Sequence, residues 1–528
     1  MTTFNSLLLT DFYKTVHPFH YPDGTTMVYS NLTPRKSRDP EVKHVVNFGL
    51  QYFIKEYLIE EFNKNFFNRP KDEVMNEYKR LIKNTTGDLN SYKHIEDLHD
   101  LGYLPVKIKS LPEGTLVPMG VPLLTIRNTH PKFYWVTNFL ESLMSCIIWM
   151  PITNATKSRQ FRKIFEKVIS ESIGDTSIVD FMGHDFSFRG MSGLEASIIS
   201  GMAHLLSFKG TDTIPAILAL EKYYGADVEK ELVGWSCPAT EHSCMSSGVG
   251  VHGEFETFKK LITEIHPSGI VSIVSDTFNL WDVLTDFIPR LKNEILARDG
   301  KVVIRGDSGD PVDIICGVET MEIRGVSPGS RKVESWFYNM KDVEPPMHFG
   351  LPDYKVKDGA KPVSENERKG IVELLWDTFG GTIVNGYKVL NEKCGAIYGD
   401  SINIERAKQI SARLMAKGFS PVIIYGIGSF SMQYTTRDQY SLAVKATAIE
   451  NNGNLIEIFK DPITDDGVKK SARGLLRVDE VNGKLVLKDR CTATEEAGGL
   501  LETTFLDGKL VRETTLSEIR ARLAENKE

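Results

Sequence analysis

Residues 304–311, with the sequence IRGDSGDP, contain side chains that can bind phosphate and sugar groups. Arg305 can bind two phosphate oxygens at once through its guanidinium, and Asp307 can accept hydrogen bonds from ribose hydroxyls or hold a magnesium ion. The two glycines let the backbone approach a ligand closely. Because an apolar run comes directly before Arg305, these residues are expected at the carboxyl end of a buried strand. An ordinary turn after a strand has a similar composition, so both interpretations stay open for this stretch alone.

The same pattern of an apolar run followed by polar, glycine-containing residues recurs along the chain. The further runs are 177–182, 205–208, 271–274, 396–398 and 422–425. Segments with the helical spacing of apolar residues, such as 255–265 and 404–414, lie between them. Strands that alternate with helices in this way indicate parallel βαβ units. They predict an α/β fold, an irregular (β/α) barrel with its site at the carboxyl ends of the strands, and an open doubly wound sheet is the alternative.

The barrel pattern covers residues 151–430 and is interrupted at about 318–382 by a polar stretch with proline and glycine pairs. We expect this stretch to form an insertion or a lid. Residues 1–150 and 431–528 lack the barrel pattern and contain strand-like segments, with Asn-Gly hairpin turns at 452–453 and 482–483. Both chain ends are therefore expected to form a second, β-rich domain of mixed α+β type beside the barrel.

The composition of the chain argues against several classes of function. A net charge of −7 over 528 residues argues against general affinity for nucleic acid. The six cysteines are scattered without a CxxC pair, which is typical of a reducing cytosol and provides no zinc site. The apolar segments are too short to cross a bilayer and the N-terminus lacks a signal-peptide pattern, so we expect a cytoplasmic protein without a membrane partner. No P-loop, dinucleotide-binding glycine motif or HExxH motif occurs, so phosphate binding must come from loops at the strand ends.

Seven short motifs stand in a defined order along the chain: LLTDFYK at 8–14, HDFSFRG at 184–190, GTDT at 210–213, ATEHS at 239–243, VSD at 274–276, RGDSG at 305–309 and GD at 399–400. In this order they resemble the nicotinamide phosphoribosyltransferases, a family of type II phosphoribosyltransferases, over about residues 8–515. The resemblance implies a homodimer with active sites at the subunit interface. It also implies a pentosyltransferase that forms nicotinamide mononucleotide and pyrophosphate from nicotinamide and phosphoribosyl pyrophosphate in NAD salvage.

The resemblance also implies which residues bind nicotinamide. Phe186 and Tyr13, the latter contributed by the other subunit, would stack on the pyridine ring, and Arg305 would lie beside it. Asp212 would accept a hydrogen bond from the carboxamide, which favours nicotinamide over nicotinic acid because two carboxylates repel each other. The alternatives are that Phe186 is a core residue and that Asp212 caps the helix that begins near Ile214.

The phosphoribosyl and pyrophosphate groups would be bound by a second set of residues: Arg35, Arg189, Ser272, Asp307, Gly399, Asp400, Gly428, Ser429, Arg437, Lys445 and Lys460. Several of these basic residues are expected to reach across the dimer interface. Each would more often be a solvated surface charge if the family resemblance were absent. Ser429 and Phe430 stand where relatives can have glycine, which leaves the backbone contacts of that loop open.

The residues expected to take part in catalysis are His242, Asp276, Arg305 and Asp307. Magnesium is expected to bind through the pyrophosphate rather than in a certain protein site. ATP is expected to act as a stimulating co-substrate that phosphorylates His242, with Glu241 or Asp276 as the group that orients the ring. The alternative for His242 is a neutral structural histidine. Two competing functions stay open, a nicotinic acid phosphoribosyltransferase on the same fold and a binding protein without catalysis.

Overall fold

The computed structural model describes residues 4–89, 91–326, 333–344, 354–464 and 471–525. It is a mixed α/β protein with two large sheets of different construction. The α-helices are α1 (Leu50–Phe53), α2 (Lys71–Thr85), α3 (Lys93–Leu101), α4 (Val136–Phe139), α5 (Glu141–Ser172), α6 (Val179–Met182), α7 (Leu194–His204), α8 (Ile214–Tyr224), α9 (His242–His252), α10 (Glu254–Lys260), α11 (Leu280–Asp282), α12 (Ile288–Arg290), α13 (Lys292–Ala297), α14 (Pro311–Cys316), α15 (Glu365–Phe379), α16 (Ile404–Ala416), α17 (Ser429–Met432), α18 (Ala493–Ala497) and α19 (Leu516–Glu525).

The strands, in chain order, are β1 (Thr25–Pro34), β2 (His44–Val46), β3 (Val106–Ser110), β4 (Leu116–Pro118), β5 (Leu124–Asn128), β6 (Gly183–Asp185), β7 (Gly210–Thr211), β8 (Ser268–Val274), β9 (Asp299–Gly306), β10 (Thr320–Val326), β11 (Val333–Asn339), β12 (Val343–Glu344), β13 (Lys355–Val356), β14 (Gly381–Val384), β15 (Tyr387–Leu390), β16 (Cys394–Tyr398), β17 (Ile424–Ile427), β18 (Leu442–Asn451), β19 (Asn454–Glu457), β20 (Leu475–Val481), β21 (Lys484–Cys491), β22 (Glu502–Leu506) and β23 (Lys509–Leu510).

The first large sheet has six strands in the order β7-β6-β17-β16-β9-β8, and every neighbouring pair is parallel. It forms a half-barrel whose edge strands are both bound by one extended segment. At β7, Trp235 donates a hydrogen bond to the carbonyl of Lys209 and accepts one from Thr211. At β8, the backbone of Ser272 pairs with residues 238 and 240. The parallel arrangement that the alternating pattern predicts is therefore present, with a non-strand segment between its two edges.

Four of the six predicted strands are confirmed and two are wrong, and the run before Arg305 lies in β9. The runs at 271–274, 396–398 and 422–425 fall in or overlap β8, β16 and β17. The run at 177–182 instead ends in α6, and the run at 205–208 is a turn after α7. The strands β6 and β7 begin only after these runs and are three and two residues long. A short buried apolar run has the same composition in a helix, a turn or a strand, so its periodicity cannot distinguish them.

The second large sheet has seven antiparallel strands in the order β19-β18-β1-β5-β3-β22-β23. The pairing of β1 with β18 brings residues near the two chain ends into one sheet. The predicted hairpin turns are confirmed, with left-handed φ values of 48° and 77° at Asn452 and Gly453 and of 53° and 75° at Asn482 and Gly483. Positive φ at both turn residues matches the twist of the flanking strands, and asparagine and glycine tolerate it best.

Helix α5 connects the two regions without a linker. Its first turns, with Met144 and Ile148, pack in the core that serves the antiparallel sheet. Its later turns, with Phe161, Phe165 and Ile169, pack in the core around the parallel sheet. The predicted boundary at residue 150 therefore falls inside a continuous helix of 32 residues.

The polar stretch at 318–382 has two parts. Its first part contains the hairpin β10–β11 and the small pair β12–β13, while residues 327–332 and 345–353 lie outside the described residues. Its second part contains α15, whose Ile371, Val372 and Leu375 are buried in the core around the parallel sheet. The predicted insertion is therefore too long, because α15 belongs to the packed half-barrel.

No single helix in the described part of the chain is both long and apolar enough to span a membrane. The bent pair Pro131–Phe139 and Glu141–Ser172 passes the two criteria together, by length and composition only.

Candidate active site

The carboxyl ends of the parallel strands bring most of the predicted site residues to one edge of the half-barrel. Asp276 follows β8, Asp307 follows β9, Asp400 follows β16, Ser429 follows β17 and Phe186 follows β6. Because all these strands run in the same direction, the residues that follow them meet at the same edge. We call this edge the strand-end site.

Asp276 holds the loop that contains Asp307. Its Oδ2 accepts hydrogen bonds from the backbone N–H of Asp307 at 2.8 Å, from the backbone N–H of Ser308 at 2.7 Å and from the Ser308 hydroxyl at 2.6 Å. The Asp276 side chain is only 4% exposed. Its Oδ1 is buried without a hydrogen-bond partner among the described residues. One carboxylate oxygen thus orders the loop, and the other is left for a ligand or a cation.

His242 is the first residue of α9 and lies between two carboxylates. Its Nδ1 is 3.1 Å from the Thr277 hydroxyl. Its Nε2 is 3.8 Å from Asp307 Oδ2 and 4.0 Å from Asp276 Oδ1. Glu241 instead accepts a hydrogen bond from Ser243. Neither predicted orienting group is within hydrogen-bond distance of the ring, so the Thr277 hydroxyl is the contact that orients it, and the His242 side chain stays half-exposed.

Arg305 lies against Phe186 and Asp307. Its guanidinium carbon is 5.2 Å from the centroid of the Phe186 ring, and its Nη2 donates to Asp307 Oδ1 at 3.2 Å. Gly399 packs directly on this pair, because a β-carbon there would lie 2.4 Å from Asp307 Oδ1 and 2.9 Å from Arg305 Nε. The absence of a side chain at Gly399 therefore allows the Asp400 loop to approach the arginine.

Phe186 forms one wall of a slot for a flat ring. Its ring is 4.9 Å from the ring of His184 and is only half-buried, so it is not a residue of the closed core. Gly426 makes room for it, since a β-carbon there would lie 2.6 Å from the ring. Among the described residues, no second aromatic ring is stacked on Phe186.

Asp212 is held by two side chains that the sequence interpretation missed. Its Oδ1 lies 2.9 Å from His184 Nε2 and accepts a hydrogen bond from the Ser236 hydroxyl at 2.6 Å. Burial opposes ionisation of Asp212, but these contacts and the charge of Arg305 outweigh it and lower the pKa of the carboxyl. The helix-capping alternative is wrong, because the cap position of α8 is Thr213.

The register of the sheet explains why His184 reaches Asp212. His184 pairs with Gly210 across β6 and β7, and Thr211 pairs with Asp185. Only this pairing places two residues so far apart in the chain side by side. His184 stands in the HDFSFRG motif, but no spacing in the sequence indicates its partner.

Four carboxylates converge on Tyr398, another residue that the sequence interpretation missed. Burial and the negative charges of Asp400, Asp276, Asp307 and Asp310 raise the pKa of its hydroxyl. The hydroxyl donates to the Gly309 carbonyl at 2.8 Å. Among the described residues there is no group of three or more histidine, cysteine or acidic side chains arranged to hold a metal on their own. The edge is thus rich in negative charge without forming a protein-only metal cage.

Ser429 and Arg189 lie on adjoining loops at the same edge. A β-carbon at Gly190 would lie 2.1 Å from the Ser429 hydroxyl, and Gln433 accepts a hydrogen bond from the Ser192 backbone at 2.9 Å. Arg189 is exposed and Gly428 caps the short helix α17. Ser272 differs from the other predicted residues, because it is buried within β8, before the end of the strand.

The remaining predicted residues form a second group beside the antiparallel sheet. Burial lowers the pKa of Lys445; Glu141 opposes this effect, while Arg35, Lys460 and Arg437 add to it by their positive charges. The three other basic residues therefore lie close enough to Lys445 to act on its charge. We call the four residues the cationic cluster.

Tyr13 belongs to the second group. It lines a cavity of about 260 Å³ together with Glu141, Trp149 and Arg437, and its side chain is 58% exposed. Within the described residues, no hydrogen bond, ion pair or ring contact joins Tyr13 or the cationic cluster to the strand-end site. The structure therefore collects the predicted residues into two groups rather than one.

The chain is similar to known proteins over nearly its whole length. It is 45% identical to the nicotinamide phosphoribosyltransferase of Acinetobacter baylyi over 99% of this chain and 98% of the relative. The chain belongs to the nicotinamide phosphoribosyltransferase family. A similar protein of the same name from Xanthomonas campestris is 30% identical over 98% of this chain and 97% of the relative. The model of the nicotinate phosphoribosyltransferase (NAPRTase) family matches residues 181–509, and that of the nicotinamide phosphoribosyltransferase N-terminal domain matches residues 5–108.

Solved structures share the fold of the family at low sequence identity. The nicotinate-nucleotide pyrophosphorylase of Pyrococcus furiosus aligns with a TM-score of 0.52 at 15% identity, covering 99% of this chain and 95% of that one. Human nicotinic acid phosphoribosyltransferase aligns with a TM-score of 0.50 at 14% identity, covering 98% and 93%. At these identities the likeness concerns the fold alone.

Proposed function

We propose that this chain is a nicotinamide phosphoribosyltransferase of NAD salvage, which forms nicotinamide mononucleotide and pyrophosphate from nicotinamide and phosphoribosyl pyrophosphate. The observation that carries this proposal is the ionised Asp212 held by His184 and Ser236 near Phe186 and Arg305. The curated relatives from Acinetobacter and Xanthomonas carry the name of this activity.

The slot beside Phe186 accounts for the choice of substrate. A pyridine ring stacks on the free face of Phe186, and the carboxamide N–H donates to Asp212. Nicotinic acid would bring a second carboxylate to Asp212, where like charges repel in a partly buried site. The competing function as a nicotinic acid phosphoribosyltransferase is therefore disfavoured by this carboxylate.

The transfer itself needs charge stabilisation on both sides of the ribose. The ring nitrogen attacks C1 as the bond to pyrophosphate breaks, and the sugar passes through an oxocarbenium-like state. Asp307 and Asp400 would accept hydrogen bonds from the ribose hydroxyls, and Arg305 would bind phosphate oxygens.

Magnesium suits the arrangement of carboxylates. The converging charges near Tyr398 and the unpartnered Oδ1 of Asp276 offer one or two oxygen ligands, and magnesium commonly takes its other ligands from substrate phosphate and water. When bound, the ion neutralises charge on the leaving pyrophosphate. Asp276, together with either Asp307 or Asp400, would supply these one or two protein ligands.

His242 is proposed to accept the γ-phosphoryl group of ATP. Because Nδ1 faces the Thr277 hydroxyl, Nε2 is the nitrogen left to attack phosphorus while ADP leaves, and water later cleaves the phosphohistidine. In the His242→Ala variant the ratio of rates with and without ATP should fall to one, whatever the basal rate. An unchanged ratio would rule this role out.

The two groups of site residues are proposed to meet in a homodimer. Tyr13 would form the second wall of the slot at Phe186 of the neighbouring copy, and the cationic cluster would face its phosphates. We further propose that the half-barrel, closed by residues 235–240, stands beside a second domain built from both chain ends. The enzyme is proposed to act in the cytoplasm.

Product analysis tests the proposed function directly. The purified chain is incubated with phosphoribosyl pyrophosphate, magnesium and either nicotinamide or nicotinic acid, with and without ATP. We expect nicotinamide mononucleotide and pyrophosphate from the amide, and at most a small amount of product from the acid. Equal or better turnover of nicotinic acid would overturn the proposed specificity. Binding of both substrates without release of pyrophosphate would favour the non-catalytic alternative.

A further inference from the structure

Lys157 is a largely buried cation beneath one loop of the strand-end site. It lies on α5, and its Nζ donates a hydrogen bond to the Ser431 carbonyl at 2.7 Å. Burial lowers the pKa of this lysine to about 8. The structure gives it no carboxylate partner in the described part of the chain. A buried charge without an ionic partner is unfavourable unless it serves a nearby dipole or anion.

Ser431 joins two loops of the strand-end site. Its hydroxyl donates to the Ile402 carbonyl at 2.8 Å, and its backbone N–H donates to the Gly428 carbonyl at 3.1 Å. The first bond reaches the loop that follows Asp400, and the second closes the short turn that contains Ser429. The Ser431 side chain is buried, so water does not compete for these bonds.

A second link connects the same two loops through Arg406. Its Nη1 donates to the Ser401 carbonyl at 2.6 Å, and its guanidinium carbon lies 5.7 Å from the centroid of the Phe430 ring. Ser401 adopts a left-handed φ of 51°, which a serine rarely does without such support. The loops that carry Asp400 and Ser429 are therefore joined on two sides.

We propose that Lys157 and Ser431 are positioning residues that fix the distance between the Asp400 loop and the Ser429 loop, and that Lys157 also places positive charge behind the phosphate of phosphoribosyl pyrophosphate. This inference rests on the proposed function and adds two residues that act through their neighbours. The ammonium binds the Ser431 carbonyl in the α17 turn, and its positive charge there would favour an anion bound beside Ser429.

The test compares Lys157→Met with Lys167→Met, which removes an exposed lysine from the same helix. We expect Lys157→Met to raise the KM for phosphoribosyl pyrophosphate about tenfold and to leave the KM for nicotinamide within about twofold. Lys157→Arg should restore the KM to within about threefold, because the guanidinium keeps both the charge and a donor. Lys167→Met should match the unmodified chain.

Two further variants separate the hydrogen bond from the charge. Lys157→Gln keeps an N–H donor for the Ser431 carbonyl but has no charge. It should therefore raise the KM for phosphoribosyl pyrophosphate by about half as much, on a logarithmic scale, as Lys157→Met does. Ser431→Ala removes only the bond to Ile402, and its effect should combine with that of Lys157→Met less than additively, since both act through one loop.

The outcomes are distinguishable from a failure of the proposed function. If the unmodified chain makes no nicotinamide mononucleotide, the same variants are compared by calorimetry. The quantity measured is then the affinity for phosphoribosyl pyrophosphate in the absence of nicotinamide. A Lys157→Met variant that binds within twofold of the unmodified chain would overturn the inference. Equal increases in the KM of both substrates would also overturn it, because the effect would then not be specific to the phosphate-bearing substrate.

Discussion

The strand-end site and the cationic cluster are built in opposite ways. In the strand-end site, side chains are held by hydrogen bonds from neighbouring residues of the same chain. Asp276 Oδ2, for example, accepts three such bonds. In the cationic cluster three basic residues, Arg35, Arg437 and Lys460, place positive charge near Lys445. Glu141, the carboxylate that opposes the lowered pKa of Lys445, is already paired with Lys14. The first region therefore holds its geometry alone, and the second is suited to an anion that arrives from outside.

This difference predicts different kinetic consequences. Substitutions in a preorganised region change the position of reacting groups and so lower kcat. Substitutions among repelling cations remove attraction for an anion and so raise KM, with a dependence on ionic strength.

The largest effect is expected for Asp276→Ala. Three donors lose their acceptor, so the loop with Asp307 moves relative to Arg305, and kcat/KM should fall about a hundred- to a thousandfold. Steady-state kinetics measures the loss, and thermal melting shows whether the fold is kept. Asp276→Asn is the matched control, since it keeps one acceptor and should lose about tenfold less. A loss smaller than about fivefold for the alanine variant would contradict preorganisation by Asp276.

A smaller effect of a different kind is expected for Lys445→Met in the cationic cluster. The KM for phosphoribosyl pyrophosphate should rise about 10- to 100-fold while kcat changes little, because a charged contact to phosphate is lost. The KM of the unmodified chain should also rise with added salt more steeply than that of the variant. Lys484→Met, at an exposed lysine in the hairpin β20–β21, should behave like the unmodified chain. A drop in kcat at constant KM would assign Lys445 to the reacting centre instead.

Substrate choice should change when Asp212 loses its charge. In Asp212→Asn the preference for nicotinamide over nicotinic acid should fall about tenfold, because the acid no longer meets a like charge. Since the pKa of Asp212 is lowered, its charge persists as pH falls, so the KM of the unmodified chain for nicotinamide should stay level from pH 8 to about pH 5. Competition between the two pyridines measures the ratio. An unchanged ratio of the two turnover rates would show that Asp212 does not select for the carboxamide of nicotinamide.

The smallest effect concerns whether the two regions meet in a dimer. Tyr13→Ala and Asp212→Ala should each reduce activity, and a mixture refolded together should recover about a quarter of the unmodified activity. Recovery is expected because half of the dimers then contain one intact site assembled from two chains. Mixed samples without refolding serve as the control for exchange. If refolded mixtures show only the average of the two variants, each site is complete within one chain.

Several features of the fold were predictable from local sequence. The runs before Ser275 and Gly399 are largely apolar, as the buried strands of a parallel sheet generally are. The turns at 452–453 and 482–483 were predictable because asparagine and glycine tolerate the left-handed φ that both positions adopt. The runs at 177–182 and 205–208 were predicted wrongly, since burial alone does not specify a helix, a turn or a strand.

Candidate site residues could be predicted only where the charge of a residue or its motif indicates what it binds. Arg305 and Asp307 were expected from their charges after a strand, and Asp212 was expected from the family resemblance. His184, Ser236 and Tyr398 did not, because their roles depend on partners that are distant in the chain. The same holds for Lys157, whose partner Ser431 lies 274 residues away.

By itself the sequence determined the parallel α/β plan, the chemistry at the strand ends and the resemblance to one family, since these depend on local periodicity and on residue types in order. Only the tertiary structure decided which side chains touch: that Asp212 is held by His184 and Ser236, that Asp276 holds the Asp307 loop, and that the predicted residues fall into two groups. The physical reason is that strand register and the packing of α5 against both cores arise from many weak, long-range contacts. Such contacts leave no spacing along the chain that could be recognised in advance.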